Sequence, residues 1–475
     1  MSVLPEGWEM VVGLEVHTEL LTKSKLFCGC ENHFGSEPNT NVCPICLGLP
    51  GSLPVLNEHA VELAMRIGMA LHCTIAPSTF HRKNYFYPDQ SKDYQISQYD
   101  LPINSDGYLD LPDGSRVRIE RAHMEEDTGK TTHLGGSGRL AGADRSLVDY
   151  NRCGVPLVEI VSAPDIRSSA QARAYAAELR GILIATGASD GRMEEGSMRI
   201  DANVSVRRPG APFGTRCEIK NLNSLRSLQR AIDHEALRQI ELIEDGGTVR
   251  QETRHWDEDM GETSTLRVKE DAEDYRYFRD PDLVDLAPSE EWQADVRTAM
   301  GPMPAERRQA LEARLGSPTD AQRDAVIVVI DLGLERYVHA AADAATDVAI
   351  ALSRVANELA GEPSLDKLTL ESFVATVAME QSGALSATQA KAVLGELITN
   401  GGDPASVAAA KGYEQLSSDS LEATIDALIA ANPDEWGRYR DGDDKLAGFF
   451  TGLVMKATAG KANGKAVVAV LQSRR

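Results

Sequence analysis

The sequence predicts an α+β protein that is mixed in its first part and all-helical in the remainder. Two observations predict this. From residue 9 to about 285, short strand-like stretches alternate with Gly, Pro and Asn-Gly-like breakers, and helical spacing occurs in only a few places. After about Pro288 the texture changes, and Ala and Leu recur every three to four residues.

The elements follow in order. Gly13-Leu14-Glu15-Val16-His17-Thr18-Glu19 alternates strictly, so a strand here would turn Leu14 and Val16 to a core and Glu15, His17 and Glu19 to the other face. Apolar residues at three- and four-residue spacing predict helices over 58–71 and 225–243, and 170–186 also reads as helical. Beyond 288, helical spacing covers 305–315, 320–334, 338–359, 370–378, 387–398 and 420–431. Ser, Thr or Asp stands at or just before several of these starts, where its side chain can cap free N–H groups. Gly401-Gly402-Asp403-Pro404 reads as a hinge. The predicted domains are therefore 1–288, 289–402 and 403–475, the last a small helical tail. No internal repeat or low-complexity tract is evident.

A chain of 475 residues has room for about three domains. Its 42% hydrophobic and 25% charged residues are globular chemistry rather than disorder. No apolar run approaches the roughly 18 residues of a membrane span, and no basic segment followed by an apolar one marks a signal peptide. A soluble, cytoplasmic protein without a membrane partner is expected. The net charge of −23 argues against general nucleic-acid binding, which needs clustered cations. Residues 445–475 are the exception, with four Lys, two Arg and no acid. That end suits a polyanion, or is a bland helix with spread cations.

Four of seven cysteines fall as Cys28-Gly29-Cys30 and Cys43-Pro44-Ile45-Cys46. Two close pairs across a loop match a tetrahedral thiolate site, so residues 28–46 are expected to hold a structural Zn²⁺ through Cys28, Cys30, Cys43 and Cys46. Four thiolates leave no open position for water. Cys73, Cys153 and Cys217 stand singly in apolar settings and read as buried filler.

Three carboxylate groups stand where solvation is not the default. Glu15, His17 and Glu19 form a row able to hold a divalent cation, unless the strand simply shows water a polar face. Glu125-Glu126-Asp127 precede Gly129-Lys130 and supply hard oxygen ligands of the kind that suit Mg²⁺. Gly129-Lys130-Thr131 resembles the end of a Walker loop, but the position five before Gly129 is Met124. Glu159 interrupts the apolar run 155–161 and needs a metal or an Arg as partner. Adjacent strand residues point to opposite faces, so either Glu125 or Glu126 can belong to the site, not both. Residues 82–89 and 94–100 pack cations, amides and aromatic rings, which could stack a base and hold phosphates or could brace a sheet. The polar segments 194–203 and 218–224 would line or brace the same cleft. No nucleophile elbow occurs, no serine–lysine amidase signature follows Gly135-Gly136-Ser137-Gly138, and no Cys–His pairing suits a glutaminase. The chain looks equipped to bind ATP and metal, and not to generate ammonia.

Taken together, segments 13–17, 82–89, 94–100, 123–130, 151–165, 193–203, 220–224, 251–254, 267–270, 274–278 and 454–458 resemble the B-subunit family of the tRNA-dependent amidotransferases over nearly the whole chain. The resemblance implies a mixed-sheet cradle over 1–288 with a glutamine-synthetase-like kinase site, then a helical domain and a tail that grips tRNA. It implies a ligase that works with two partners, the A subunit, which is the glutaminase, and the C subunit. Its substrates would be misacylated Glu-tRNA(Gln) or Asp-tRNA(Asn). On this pattern Glu15, His17, Glu125 or Glu126, and Glu159 hold Mg²⁺, and Glu15, His17, Glu126, Glu159 and Lys83 are catalytic. Lys83, Asn84, Tyr85 and Lys130 contact ATP, while Lys456, Lys461 and Lys465 contact tRNA. The chain departs from the family pattern at Gln90-Ser91-Lys92-Asp93, where Leu-Pro-Lys-Gly is common, and at Ala163, where Glu is usual. Arg279, Leu453 and Gly464 replace a usual Pro, Gln and Pro. The alternative is a zinc-containing tRNA-binding protein with no chemistry of its own.

Overall fold

The computed structural model describes residues 4–135, 142–268, 275–413, 418–458, 462 and 464–475. The chain divides into two compact units, Met1–Pro304 and Ala305–Arg475.

The first unit is built on strands β1 (Glu9–Glu19), β2 (Thr74–Ile75), β3 (His81–Asn84), β4 (Tyr94–Ser97), β5 (Asn104–Asp110), β6 (Arg116–Glu126), β7 (Lys130–Leu134), β8 (Arg145–Asp149), β9 (Pro156–Ser162), β10 (Met198–Arg207), β11 (Cys217–Lys220), β12 (Glu252–Asp257), β13 (Glu262–Val268) and β14 (Phe278–Arg279). Twelve of them form one sheet whose main path runs β13-β12-β11-β10-β1-β9-β6-β4-β3-β14, with β5 on β6 and β2 on β5. β11 and β12 pair in parallel and the other pairs are antiparallel, so the sheet is mixed. β7 and β8 make a separate hairpin.

Helices α1 (Glu58–Ala70), α2 (Ser169–Ala185) and α3 (Leu225–Glu244) begin at capping side chains: Asn57 accepts from the His59 and Ala60 amides, Ser168 from Gln171, and Ser224 from Ser227. Their apolar stripes close on the sheet, and Val12, Leu14 and Val16 of β1 are buried in that shared core. Glu15, His17 and Glu19 alternate with these residues and lie on the opposite face, only partly covered. α4 (Glu290–Thr298), capped by Ser289, buries Val296 and packs Trp292 into the same core. This helix, although it follows Pro288, therefore goes with the sheet.

The second unit is helical: α5 (Pro304–Leu315), α6 (Asp320–Asp331), α7 (Glu335–Asp343), α8 (Val348–Arg354) with a π turn over Val355–Leu359, α9 (Leu370–Gln381), α10 (Ala387–Asn400), α11 (Pro404–Ala410), α12 (Ser418–Ala431), α13 (Pro433–Arg440), α14 (Leu446–Ala457) and α15 (Gly464–Arg474). It holds two apolar cores, one from Leu311 to Ala408 and one from Leu421 to Leu471. The single helix expected over 338–359 is two. Ala345 adopts φ +55°, and the Asp347 carboxylate caps a new start by accepting from the Ala349 and Ile350 amides. No helix among the described residues is long and apolar enough to cross a membrane.

Candidate functional site

Three neighbouring strands set their side chains in one row. On β1, β9 and β6, His17 pairs with Glu159 and Glu159 with His123. Directly opposed residues on adjacent strands bring their Cβ atoms to about 5 Å, so this register alone assembles a cluster from segments distant in sequence. His17 Nε2 lies 3.3 Å from Glu159 Oε2, His123 Nε2 lies 3.7 Å from that oxygen, and 3.9 Å separates it from Glu125 Oε2. One ligand atom each from His17, Glu125 and Glu159 falls within 4.8 Å of the others, a spacing able to hold a metal ion. Glu125 Oε2 and His123 Nδ1 are buried without a hydrogen-bond partner. Such orphaned atoms are costly unless something binds them.

The cluster borders a cleft of about 780 Å³ whose walls include Lys83, Tyr85, Gln95, Arg199 and Lys220. Burial opposes charge on His17, yet the Glu159 hydrogen bond and charge outweigh it and raise His17 to about 9. Burial dominates at His123, whose pKa is lowered. Glu159 is held well below the usual carboxylate range: burial opposes this, and His123, His17 and Lys83 overcome it. Burial likewise works against the Lys83 ammonium, but Glu125 and Glu159 keep it charged. The site is a dense balance of paired opposite charges.

The other predicted residues are distributed unevenly. Glu126 does not join the cluster. Its carboxylate is sealed against Lys92 and accepts the Ile96 amide at 2.9 Å. Glu15 lies on the cluster's face but one register step away, where Asn203 Nδ2 donates to it at 2.9 Å; burial, then Glu159, raises its pKa. Asn84 braces the chain by donating to the Tyr275 and Arg276 carbonyls at 3.2 and 2.8 Å. Tyr85 reaches the cleft, with its hydroxyl accepting from Gln90 at 2.8 Å. Lys130 lines a separate pocket beside the cysteine loop. In the tail, Lys456 is exposed on α14. Lys461 and the Lys465 side chain lie outside the described residues. Arg474 is paired with Glu422 and Asp426 at 2.7 and 3.1 Å, and Arg475 with Asp444 at 2.7 Å, which removes two cations from the expected basic patch.

Several site residues went unnamed at the level of sequence. His123 stands two before Glu125, the same alternation that marked Glu15 and His17, and that was the available signal. Arg199 bonds Asp127 at 2.5 Å, with Arg152 3.6 Å away. Beside them Glu19 is pushed up to about 7 by burial and by the Asp127 charge. Lys220 bridges Asp201 at 2.5 Å and Glu218 at 3.0 Å. The sequence expects segments 194–203 and 218–224 to line or brace the cleft, but which side chains turn inward depends on pairing.

Cys28, Cys30, Cys43 and Cys46 converge. Cys46 Sγ lies 3.6, 3.9 and 3.7 Å from the sulfurs of Cys28, Cys30 and Cys43. Thiolates about 2.3 Å from a shared tetrahedral ion sit about 3.8 Å apart, so the four could hold a metal ion. The Cys28 hydrogen bond draws Cys46 down to about 4, and Lys25 Nζ, 3.5 Å away, adds to this. Asn39 and Asn41 tie the loop to Asp149 and Asn151.

Residues 10–294 match the family model of the GatB/GatE catalytic domain, and residues 333–474 that of the GatB domain. The chain is thus a component of an amidotransferase, a ligase that acts as part of a complex. It is 49% identical over 479 residues to the B subunit of the aspartyl/glutamyl-tRNA(Asn/Gln) amidotransferase of Mycobacterium sp. (strain KMS), spanning 97% of this chain and 95% of that one. The corresponding protein of Anaeromyxobacter sp. (strain Fw109-5) is 47% identical over 487 residues, covering 98% of each. That of Thermoanaerobacter sp. (strain X514) is 45% identical over 469 residues, 96% of this chain and 97% of its own. The chain belongs to the family of aspartyl/glutamyl-tRNA(Asn/Gln) amidotransferase B subunits.

Proposed function

We propose that this chain performs the ATP-dependent half of tRNA-linked amidation. The substrate is Glu-tRNA(Gln) or Asp-tRNA(Asn). Together with the C subunit, the glutaminase A subunit supplies ammonia. An oxygen of the substrate's side-chain carboxylate attacks the γ-phosphorus of ATP and ADP departs. Ammonia then attacks the carbonyl carbon of the acyl phosphate, inorganic phosphate leaves and one N–H proton is lost, giving Gln-tRNA(Gln) or Asn-tRNA(Asn). The observation that carries this reading is the convergence of His17, Glu125 and Glu159 beside the cleft, with Glu125 Oε2 buried and unbonded.

Phosphoryl transfer to an anion brings two negative groups together, so cations must face the reacting atoms. His17, Glu125 and Glu159 would hold Mg²⁺, which supplies charge neutralisation when bound. Lys83 stays charged among these acids and would draw in the anionic substrates, while Tyr85 orders the adjoining wall. Glu15 neighbours the ligands and shapes their field. In this reading residues 1–288, with α4 packed on them, form a cradle of the glutamine-synthetase kind, Cys28, Cys30, Cys43 and Cys46 hold a structural Zn²⁺, and of the helical remainder the tail over 403–475 grips tRNA.

The test is turnover of the chain assembled with its A and C subunits, using γ-labelled ATP and misacylated tRNA. ADP release and amidated tRNA should collapse together in Glu125→Gln and Glu159→Gln. Full turnover in either folded variant would overturn the site.

A further inference from the structure

Outward from Lys83, beside the cleft that it lines, lies a feature to which the amidation reading assigns no role. Tyr99 and Tyr277 stack face to face, with centroids 4.0 Å apart and planes 9° apart. Tyr277 is partly buried, and Tyr99 is the outer ring, 56% exposed. His81 meets the edge of Tyr99 with centroids 6.1 Å apart, and its Nε2 lies 3.6 Å from the exposed carboxylate of Asp100. Inward, Tyr275 touches Tyr277 edge-on at 6.0 Å and lies under the Lys83 ammonium at 5.0 Å. One row therefore runs from the cation beside the acid cluster through three rings to an open π-face.

A solitary exposed tyrosine needs no explanation. Tyr99 differs because a parallel ring already holds its inner face and an imidazole its edge, so it offers one flat, preordered surface. Aromatic platforms of this kind take nucleobases. Asp100, beside it, can accept from an exocyclic amino group and would repel a carbonyl oxygen in that position.

We propose that Tyr99, backed by Tyr277, is a stacking platform for an adenine ring, with Asp100 accepting from the adenine amino group. This rests on the proposed amidation reading, in which both ATP and the 3′-terminal adenosine of tRNA bring adenine to the cleft; Lys83 lies on the phosphate side of the row.

The experiment compares the wild-type complex with Tyr99→Ala, Tyr99→Trp and Asp100→Asn. KM for ATP is measured at saturating misacylated tRNA, and KM for that tRNA at saturating ATP. Tyr99→Ala should raise one of the two KM values roughly five-fold or more with little change in kcat, and Tyr99→Trp should restore it. The KM that rises names the source of the adenine. Asp100→Asn should relax the preference for adenine over guanine in that same substrate. Unchanged KM values in a folded Tyr99→Ala complex overturn the platform. So does loss of the A and C subunits on gel filtration, which would assign the ring to a protein contact. If the wild-type complex releases no ADP, the amidation reading fails; equilibrium binding of ATP and of uncharged tRNA to wild type and Tyr99→Ala then still decides the platform.

Discussion

Glu125 and Glu126 are consecutive on β6, yet they belong to different environments: Glu125 stands with His17 and Glu159 beside the cleft, and Glu126 is locked to Lys92. Strand geometry alone separates them, because successive side chains leave opposite faces.

Their substitutions should separate in the same way. Glu125→Gln should cut amidation roughly 100-fold or more while the unfolding midpoint in urea stays near wild type. Glu126→Ala strands a buried Lys92, and breaking such a pair costs about 3–5 kcal/mol. Its lesion should appear first in the urea midpoint. Equal stability loss in both variants would contradict the division.

Metal removal should act through the cysteine loop. About one equivalent of zinc is expected per chain, and chelation should free Cys28, Cys30, Cys43 and Cys46 for thiol labelling. Cys73 and Cys217 should stay slow, since burial pushes their thiols up to about 12. Ser91 donates to the Cys46 carbonyl at 2.5 Å and immediately precedes Lys92. Chelation should therefore also lower the midpoint of the Lys92–Glu126 region, read by hydrogen exchange.

Glu235 gives a pH dependence of stability. Burial alone would raise its pKa, but hydrogen bonds from Arg238 and Gln239 and the Arg254 charge bring it below the ordinary value. A depressed folded pKa means stability is present above the unfolded value of about 4.3 and is lost as pH falls through the folded one. Wild-type urea midpoints should decline in that acidic window, and Glu235→Gln should decline less from a lower plateau at neutral pH. Parallel curves would refute the assignment.

Tail contacts with tRNA are best probed by a point change. Deleting 445–475 would remove Phe450, Val454, Val467 and Leu471 from their core, so the domain itself would suffer. Lys456→Ala changes an exposed charge and should reduce the slope of log K against log salt by about 1. An unchanged slope would place tRNA elsewhere.

Much of this was legible in residues 13–19, where alternation gives the strand and its two faces, and in the paired cysteines, whose spacing predicts their convergence. Caps marked many helix starts. The phase of β6 was not legible, because Glu125 and Glu126 are chemically equal and only pairing with β9 decides which meets Glu159. His123 was hidden for the same reason. The break at Ala345 is not legible in the sequence because alanine favours helix, and the Asp347 cap overrides that local preference.

The position of β1 has a consequence for how the chain is made. It is an interior strand, paired with residues 157–161 on one side and 198–207 on the other. At about 5–20 residues per second, synthesis of the stretch separating β1 from β9 takes about 7–27 s. During that interval β1 carries Val12, Leu14 and Val16 without the β9 strand that Val16 pairs with. His17, one of the three residues of the candidate metal site, thus waits for Glu125 and Glu159, which complete it.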